Sequence, residues 1–156
     1  MERQRLGVGF VGAGFIANFH IRSWVGVRGA DVLGVASKDR AEEAAALARS
    51  LGVGDAKAYT SITDMVADPA IDAIWICSPN FTRIEVMEEI VEALESGKGE
   101  LGGVCCEKPL GRNAAEARRM LELVERAGLL HGYLENQLFT PGVVRGRDIV
   151  WSRGAA

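Results

Sequence analysis

The chain has 156 residues, 48% of them apolar and 25% charged, with a net charge of −3. That length suits one globular domain with a real core, and the interspersed charges offer no basic face, so nucleic acid is not expected as a partner. No apolar run approaches the ~20 residues of a membrane span, and the charged start Met1–Arg5, followed by a short glycine-containing strand, does not resemble a signal peptide.

Strand-like and helix-like segments alternate along the chain. The apolar run Leu6–Val11 reads as a buried strand, and Gly12-Ala13-Gly14-Phe15-Ile16-Ala17 follows it as a G-x-G-x-x-A turn. Such a turn makes an anion site from backbone alone. The first glycine permits the tight turn, the second admits a pyrophosphate close to the main chain, and the small Ala17 lets helix and strand pack closely. A helix is expected over Phe15–Val27, then a strand over Asp31–Ala36 and an Ala- and Glu-rich helix over Arg40–Leu51, stopped by Gly52. A short strand over Ala56–Tyr59 precedes a short helix over Ser61–Ala67, in which Ser61 is placed to cap. A fourth strand, Ala73–Cys77, leads to a helix over Thr82–Ser96, and a fifth strand, Val104–Cys106, to a helix over Asn113–Ala127 capped by Asn113. The last elements are a strand over Leu129–Leu134 and a helix over Gly142–Trp151. Gly97–Gly103, with four glycines in seven residues, is the one loose loop.

The strands are continuous apolar runs, which suits parallel strands covered by helices on both faces. Strict βα alternation then predicts a doubly wound α/β sheet of the Rossmann type, with six parallel strands. Cys77, Cys105 and Cys106 fall within these strand-like runs. They form no C-x-x-C pair, lie far in sequence from His20 and His131, and are expected as buried, reduced thiols of a cytoplasmic protein with no metal site.

In such sheets ligands bind beyond the carboxyl ends of the strands. After the first strand come Gly12, Gly14, Phe15 and Ile16 of the glycine turn. After the second come Ser37, Lys38, Asp39 and Arg40. An NAD site usually offers an acidic residue at the end of that strand. A hydroxyl at Ser37 with cations at Lys38 and Arg40 suits a 2′-phosphate instead, which favours NADP, while Asp39 keeps NAD open or simply caps the next helix. After the fourth strand, Ser78-Pro79-Asn80 offers a fixed backbone and an amide that can cap or bond a ribose hydroxyl. After the fifth comes Glu107-Lys108-Pro109. Charges leaving a buried strand are costly unless paired or functional, and a partly desolvated lysine can serve as acid or base. A surface ion pair explains the dipeptide equally well. After the sixth strand, Glu135, Asn136 and Gln137 place polar groups where a nicotinamide or substrate can sit.

The order of these motifs resembles the Gfo/Idh/MocA oxidoreductase family, across residues 5 to 151, and Glu107-Lys108-Pro109 is the most telling mark. The resemblance implies an N-terminal Rossmann domain that binds NAD or NADP, with oxidation or reduction of a carbinol carbon of a sugar or cyclitol. It implies that Lys108 assists proton transfer beside the nicotinamide, that Glu107 and Pro109 shape the nicotinamide pocket, that the Lys108–Pro109 bond is cis, and that Ser78, Pro79 and Asn80 line the cofactor. His20 matches a frequent family histidine, for which a packed helix position is expected. The chain departs from the family in three places. Arg83 stands where histidine is common, and Lys98–Val104 is longer than usual. The third is the C-terminal α/β domain that completes the substrate pocket, which has no counterpart before Ala156. The expected organisation is therefore a dinucleotide domain over 1–141 and the start of a crossover helix over 142–156, with little turnover by this chain alone. A non-catalytic dinucleotide-binding regulatory module is the alternative reading. Val143, Val144, Ile149, Val150 and Trp151 on that last helix would lack part of their cover, which favours self-association.

Overall fold

The computed structural model describes residues 5–154, so most of the charged start and the last two alanines lie outside the described residues. Six strands, β1 (Leu6–Val11), β2 (Ala30–Ala36), β3 (Lys57–Tyr59), β4 (Ala73–Ile76), β5 (Gly103–Glu107) and β6 (Leu130–Leu134), form one sheet. Every pairing is parallel, and the spatial order is β3-β2-β1-β4-β5-β6. The order reverses between β1 and β4, and this switch point is where such sheets take a ligand, beyond the carboxyl ends of the strands. Among the described residues the α-helices are α1 (Phe15–Ser23), α2 (Ala41–Ser50), α3 (Ile62–Val66), α4 (Arg83–Glu95), α5 (Ala114–Arg126) and α6 (Pro141–Arg153). The expected doubly wound Rossmann sheet is thus the observed one.

Alternation along the strands sorts the core into two layers. Val8 and Phe10 of β1 pack with Ala17, Ile21, Val32, Val35 and Ala45 on the α1/α2 side. Val11 joins Met65, Ile74, Ile76, Met87, Ile90, Val104 and Leu123 on the other side. Gly9 explains how α3 comes so close: a Cβ there would meet the Met65 sulfur at 2.7 Å. Phe10, Trp24 and Trp75 stack in an aromatic group, with Trp24 edge-on to Trp75 at 5.3 Å and to Phe10 at 5.5 Å.

Ser61 and Asn113 cap α3 and α5 as expected, accepting from the main-chain N–H groups of Asp64 and Glu116, each at 3.0 Å. Other boundaries differ. The first helix ends at Ser23 and tightens into a 3-10 turn over Trp24–Gly26, a common way to satisfy the last carbonyls of a helix. Asp39 does not cap α2; Arg40 occupies that position and supplies no side-chain cap. A 3-10 turn over Asn80–Thr82 delays α4 to Arg83. The long loop before β5 leaves Glu107 as the last residue of that strand, so Lys108 keeps its place at the strand exit.

All three cysteines are free thiols; Cys77 and Cys106 are buried and Cys105 is half-buried. Burial pushes the Cys77 thiol up to about 12 and the Cys106 thiol up to about 11. Among the described residues no helix is long and apolar enough to cross a membrane. Helix α6 buries none of its residues, and Val143, Ile149, Val150 and Trp151 are all exposed.

At the edge strand β3, Lys57 Nζ and Tyr59 Oη donate to Asp68 Oδ2 at 2.8 and 2.6 Å. Donation from Lys57, then Tyr59, then the Ala70 N–H holds the Asp68 carboxyl down at about 2. The folded value lies below the unfolded one of about 3.9. This stabilisation is therefore complete above about pH 4 and is lost as the pH falls toward 2. Asp68→Asn is expected to lower the urea midpoint at neutral pH and to flatten the acid loss of stability between about pH 4 and 2. An acid limb identical to that of the unchanged protein would refute this.

Candidate functional site: a crevice at the carboxyl ends of β1, β4 and β5

β1 delivers the chain to Gly12, whose φ of +106° lies in the left-handed region that favours glycine. A Cβ at Gly12 would stand 3.0 Å from the Ser78 nitrogen and 3.1 Å from the Cys77 carbonyl carbon, so the turns after β1 and β4 touch there. The Gly12 N–H donates to the Ala36 carbonyl at 2.8 Å, which draws the end of β2, and with it Ser37, to the same point. Gly14 is different. Nothing lies within 4 Å of a Cβ built there, so it faces open space. Gly14 is also the N-cap of α1, with no side-chain cap and no acidic residue in the first turn. The first N–H groups of that helix have no intrahelical partner, which makes the turn a ready anion cradle.

Ser78 is buried, and its hydroxyl finds no hydrogen-bond partner among the described residues. An orphaned hydroxyl beside a bare glycine turn is the chemistry expected of a wall completed by a polar ligand. With the open face of Gly14, it shows that these residues fit a dinucleotide. Pro79 is exposed and Asn80 is half-buried; the Asn80 amide has no partner among the described residues. Phe15 is 84% exposed and Ile16 half-buried, next to the cradle.

At the β5 exit Glu107 is buried, and both of its carboxyl oxygens are engaged. His20 Nε2 lies 2.8 Å from Oε1, and the Lys108 N–H donates to Oε2 at 2.9 Å. The Lys108–Pro109 bond is cis, as the resemblance implied. The side chains of Lys108 and Pro109 are exposed, and Lys108 has no ion-pair partner among the described residues.

Two residues carry more than sequence reasoning assigned them. His20 is more than a packed helix residue: it bridges α1 to Glu107 and stands edge-on to Trp75 at 6.4 Å. Arg83, noted only as a departure from the family, is buried with its guanidinium against the carbonyls of Ser78, Glu107, Lys108 and Pro109. A buried-strand carboxyl was the available signal for His20, since it demands a donor; an arginine in the first turn of an otherwise apolar helix face was the signal for Arg83.

On the β2 side, Ser37 is half-buried and Lys38 exposed. Arg40 is engaged with Glu43, Nε to Oε2 at 2.8 Å. Lys38 has no ion-pair partner among the described residues. At the far edge, Leu134 of β6 pairs in register with Glu107, so Asn136 and Gln137 leave the sheet at the same end as Lys108. Both are exposed, and the Gln137 amide donates to Asn136 Oδ1 at 3.5 Å; no hydrogen bond ties either to the glycine turn among the described residues.

Residues 6–133 match the oxidoreductase family with an NAD-binding Rossmann fold known as Gfo/Idh/MocA. A 1,5-anhydro-D-fructose reductase of Ensifer adhaerens is 32% identical over 124 residues, covering 80% of this chain and 34% of its own length. A D-xylose 1-dehydrogenase (NADP(+)) of Hypocrea jecorina is 38% identical over 104 residues, covering 62% of this chain and 24% of its own. Among solved structures, GenD2 from gentamicin A biosynthesis, in complex with NAD, superposes with a TM-score of 0.78 at 25% identity over 97% of this chain and 40% of its own. The chain thus spans about a quarter to a third of the length of these curated relatives. With the sheet order, the glycine turn and the Glu107-Lys108-Pro109 exit in place, this chain belongs to the Gfo/Idh/MocA oxidoreductase family as its NAD-binding Rossmann domain.

Proposed function

We propose that this chain binds NADP in the crevice between β1 and β4 and serves hydride transfer to or from a carbinol carbon of a sugar or cyclitol. The observation that carries the reading is the convergence of three strand exits: the open backbone at Gly14, the orphaned Ser78 hydroxyl, and the unpaired Lys108 side chain. The α1 N-terminus with Gly12, Gly14, Phe15 and Ile16 would hold the pyrophosphate. Ser78, Pro79 and Asn80 would line the ribose, with Glu107, Pro109, Asn136 and Gln137 around the nicotinamide. The bound nicotinamide supplies the hydride acceptor or donor. Lys108 takes the hydroxyl proton as the carbinol is oxidised and returns it in the reverse direction. Names of the relatives support this substrate class: a 1,5-anhydro-D-fructose reductase, a D-xylose dehydrogenase and a myo-inositol 2-dehydrogenase.

We assign residues 1–141 to the dinucleotide domain and 142–156 to a connecting segment, in which α6 runs to Arg153 and is closed by Gly154 in the left-handed conformation. The described residues alone are expected to bind cofactor with little turnover. The apolar side chains of α6 favour self-association, and three free thiols suit the cytoplasm.

The cofactor preference rests on Ser37 and Lys38. With Arg40 engaged by Glu43, Lys38 is, among the described residues after β2, the cation without an ion-pair partner that can meet a 2′-phosphate. Calorimetric titration is expected to show NADPH bound more tightly than NADH, and Lys38→Asp is expected to weaken NADPH by about tenfold or more while sparing NADH. Equal affinities in the unchanged protein would overturn the preference. No binding of either would leave a Rossmann domain without its ligand.

A further inference from the structure

We infer that Arg83 is a positioning residue that locks the Glu107-Lys108-Pro109 exit to the Ser78 exit and so sets where Lys108 stands. The inference rests on the dinucleotide reading above and assigns a role to a residue that reading does not use.

Arg83 opens α4 and is only 4% exposed. Burying a guanidinium is costly unless its donors are met. Here every partner is a main-chain carbonyl. Nε donates to Ser78 O at 3.0 Å, Nη1 donates to the carbonyls of both Glu107 and Pro109, and Nη2 reaches Lys108 O at 3.4 Å. No carboxylate forms an ion pair with Arg83 among the described residues. A cation held only by carbonyl dipoles is a poor device for stability, since an apolar side chain would fill the same space without the desolvation cost. It is a good device for geometry. The planar fork presents donors in fixed directions, and three consecutive carbonyls of one turn are satisfied by one group.

Those three carbonyls flank the residue whose direction matters. The peptide entering Lys108 carries the Glu107 carbonyl, and the peptide leaving it carries the Lys108 carbonyl. Holding both fixes the Lys108 backbone. On the other side, His20 and the Lys108 N–H grip the Glu107 carboxyl. The exit is therefore clamped from α4 through its carbonyls and from α1 through Glu107. The Ser78 bond adds the third point, so the walls contributed by β4 and β5 keep one spacing.

The test separates the nicotinamide half of the site from the adenosine half. Binding of NADPH and of ADP-ribose 2′-phosphate, which lacks nicotinamide, is measured by calorimetry on the whole chain and its variants, with nicotinamide emission read alongside. Arg83→Met keeps the length and removes the donors. It is expected to weaken NADPH by about tenfold and to lower the emission enhancement, while ADP-ribose 2′-phosphate stays within about twofold. Arg83→Lys, which restores part of the donation, is expected to recover part of the NADPH affinity. If Arg83→Met does not give a folded circular-dichroism spectrum, Arg83→Lys is judged by the same ratio of the two ligands. Equal weakening of both ligands, or no change in either, overturns the positioning role and leaves the dinucleotide reading standing. Failure of the unchanged protein to bind either ligand overturns both.

Discussion

Gly14→Ala is expected to remove dinucleotide binding while leaving the protein as stable as before, whereas Gly12→Ala is expected to damage both. The two glycines sit two residues apart in one turn, yet their surroundings are opposite. Beyond its chain neighbours, a methyl at Gly14 meets no atom of the described residues within 4 Å, and its backbone φ of −78° is open to any residue. The methyl would instead fill the space in front of the α1 N–H groups, where a pyrophosphate must come close to the main chain. A loss of binding of about a hundredfold, or about 2.7 kcal/mol, is expected, with the thermal midpoint nearly unchanged. At Gly12 the methyl would press on the Ser78 nitrogen and the Cys77 carbonyl, and the backbone lies at φ +106°. Backbone atoms cannot swing aside as a side chain can. That substitution is expected to cost about 1–3 kcal/mol of stability in addition to the binding. Urea melts and calorimetry on the pair decide the matter. If Gly14→Ala binds NADPH as well as the unchanged protein, the cradle is not where the pyrophosphate sits.

The second large effect is expected at Glu107. Its carboxyl is buried at the end of β5 and accepts from the Lys108 N–H while meeting His20 Nε2. Glu107→Ala would strand both of those groups and open a cavity at the strand exit. A loss of about 3 kcal/mol is expected, from unmet buried polar groups and lost packing together. Glu107→Gln retains the shape and one acceptor oxygen, so it is expected to cost about half as much. Urea denaturation measures both. A Glu107→Ala variant within about 0.5 kcal/mol of the parent would mean that water satisfies these groups and that the exit is not clamped from α1.

Much of this architecture was legible in the chain because it is local. The run Leu6–Val11 followed by Gly12 and Gly14 forces a strand, a turn and a helix in that order, whatever the rest does. Ser61 and Asn113 announce their helices through bonds that span three residues. The same locality limits what could be read. His20 and Glu107 lie 87 residues apart, and only the sheet order brings α1 to the end of β5. Arg83 reads as a departure from the family because histidine is common at its place; its role was not legible, since its partners are carbonyls and a carbonyl leaves no trace in residue identity. The Asp39 cap failed for a local reason instead: the chain enters α2 one residue later, so Arg40 takes the capping position.

The aromatic group on the α1/α2 face gives the molecule a built-in optical reporter. Trp24 and Trp75 are in edge contact, and Trp75 touches the ring of His20, the residue that holds Glu107. Trp151 stands apart on α6, 79% exposed. Trp24 is buried and Trp75 half-buried, so their emission is expected to be less open to aqueous quenchers than that of Trp151. Emission from the outer one follows solvent. Collisional quenching by a small hydrophilic solute is expected to silence Trp151 first and to leave a signal from Trp24 and Trp75, the latter beside the His20 ring.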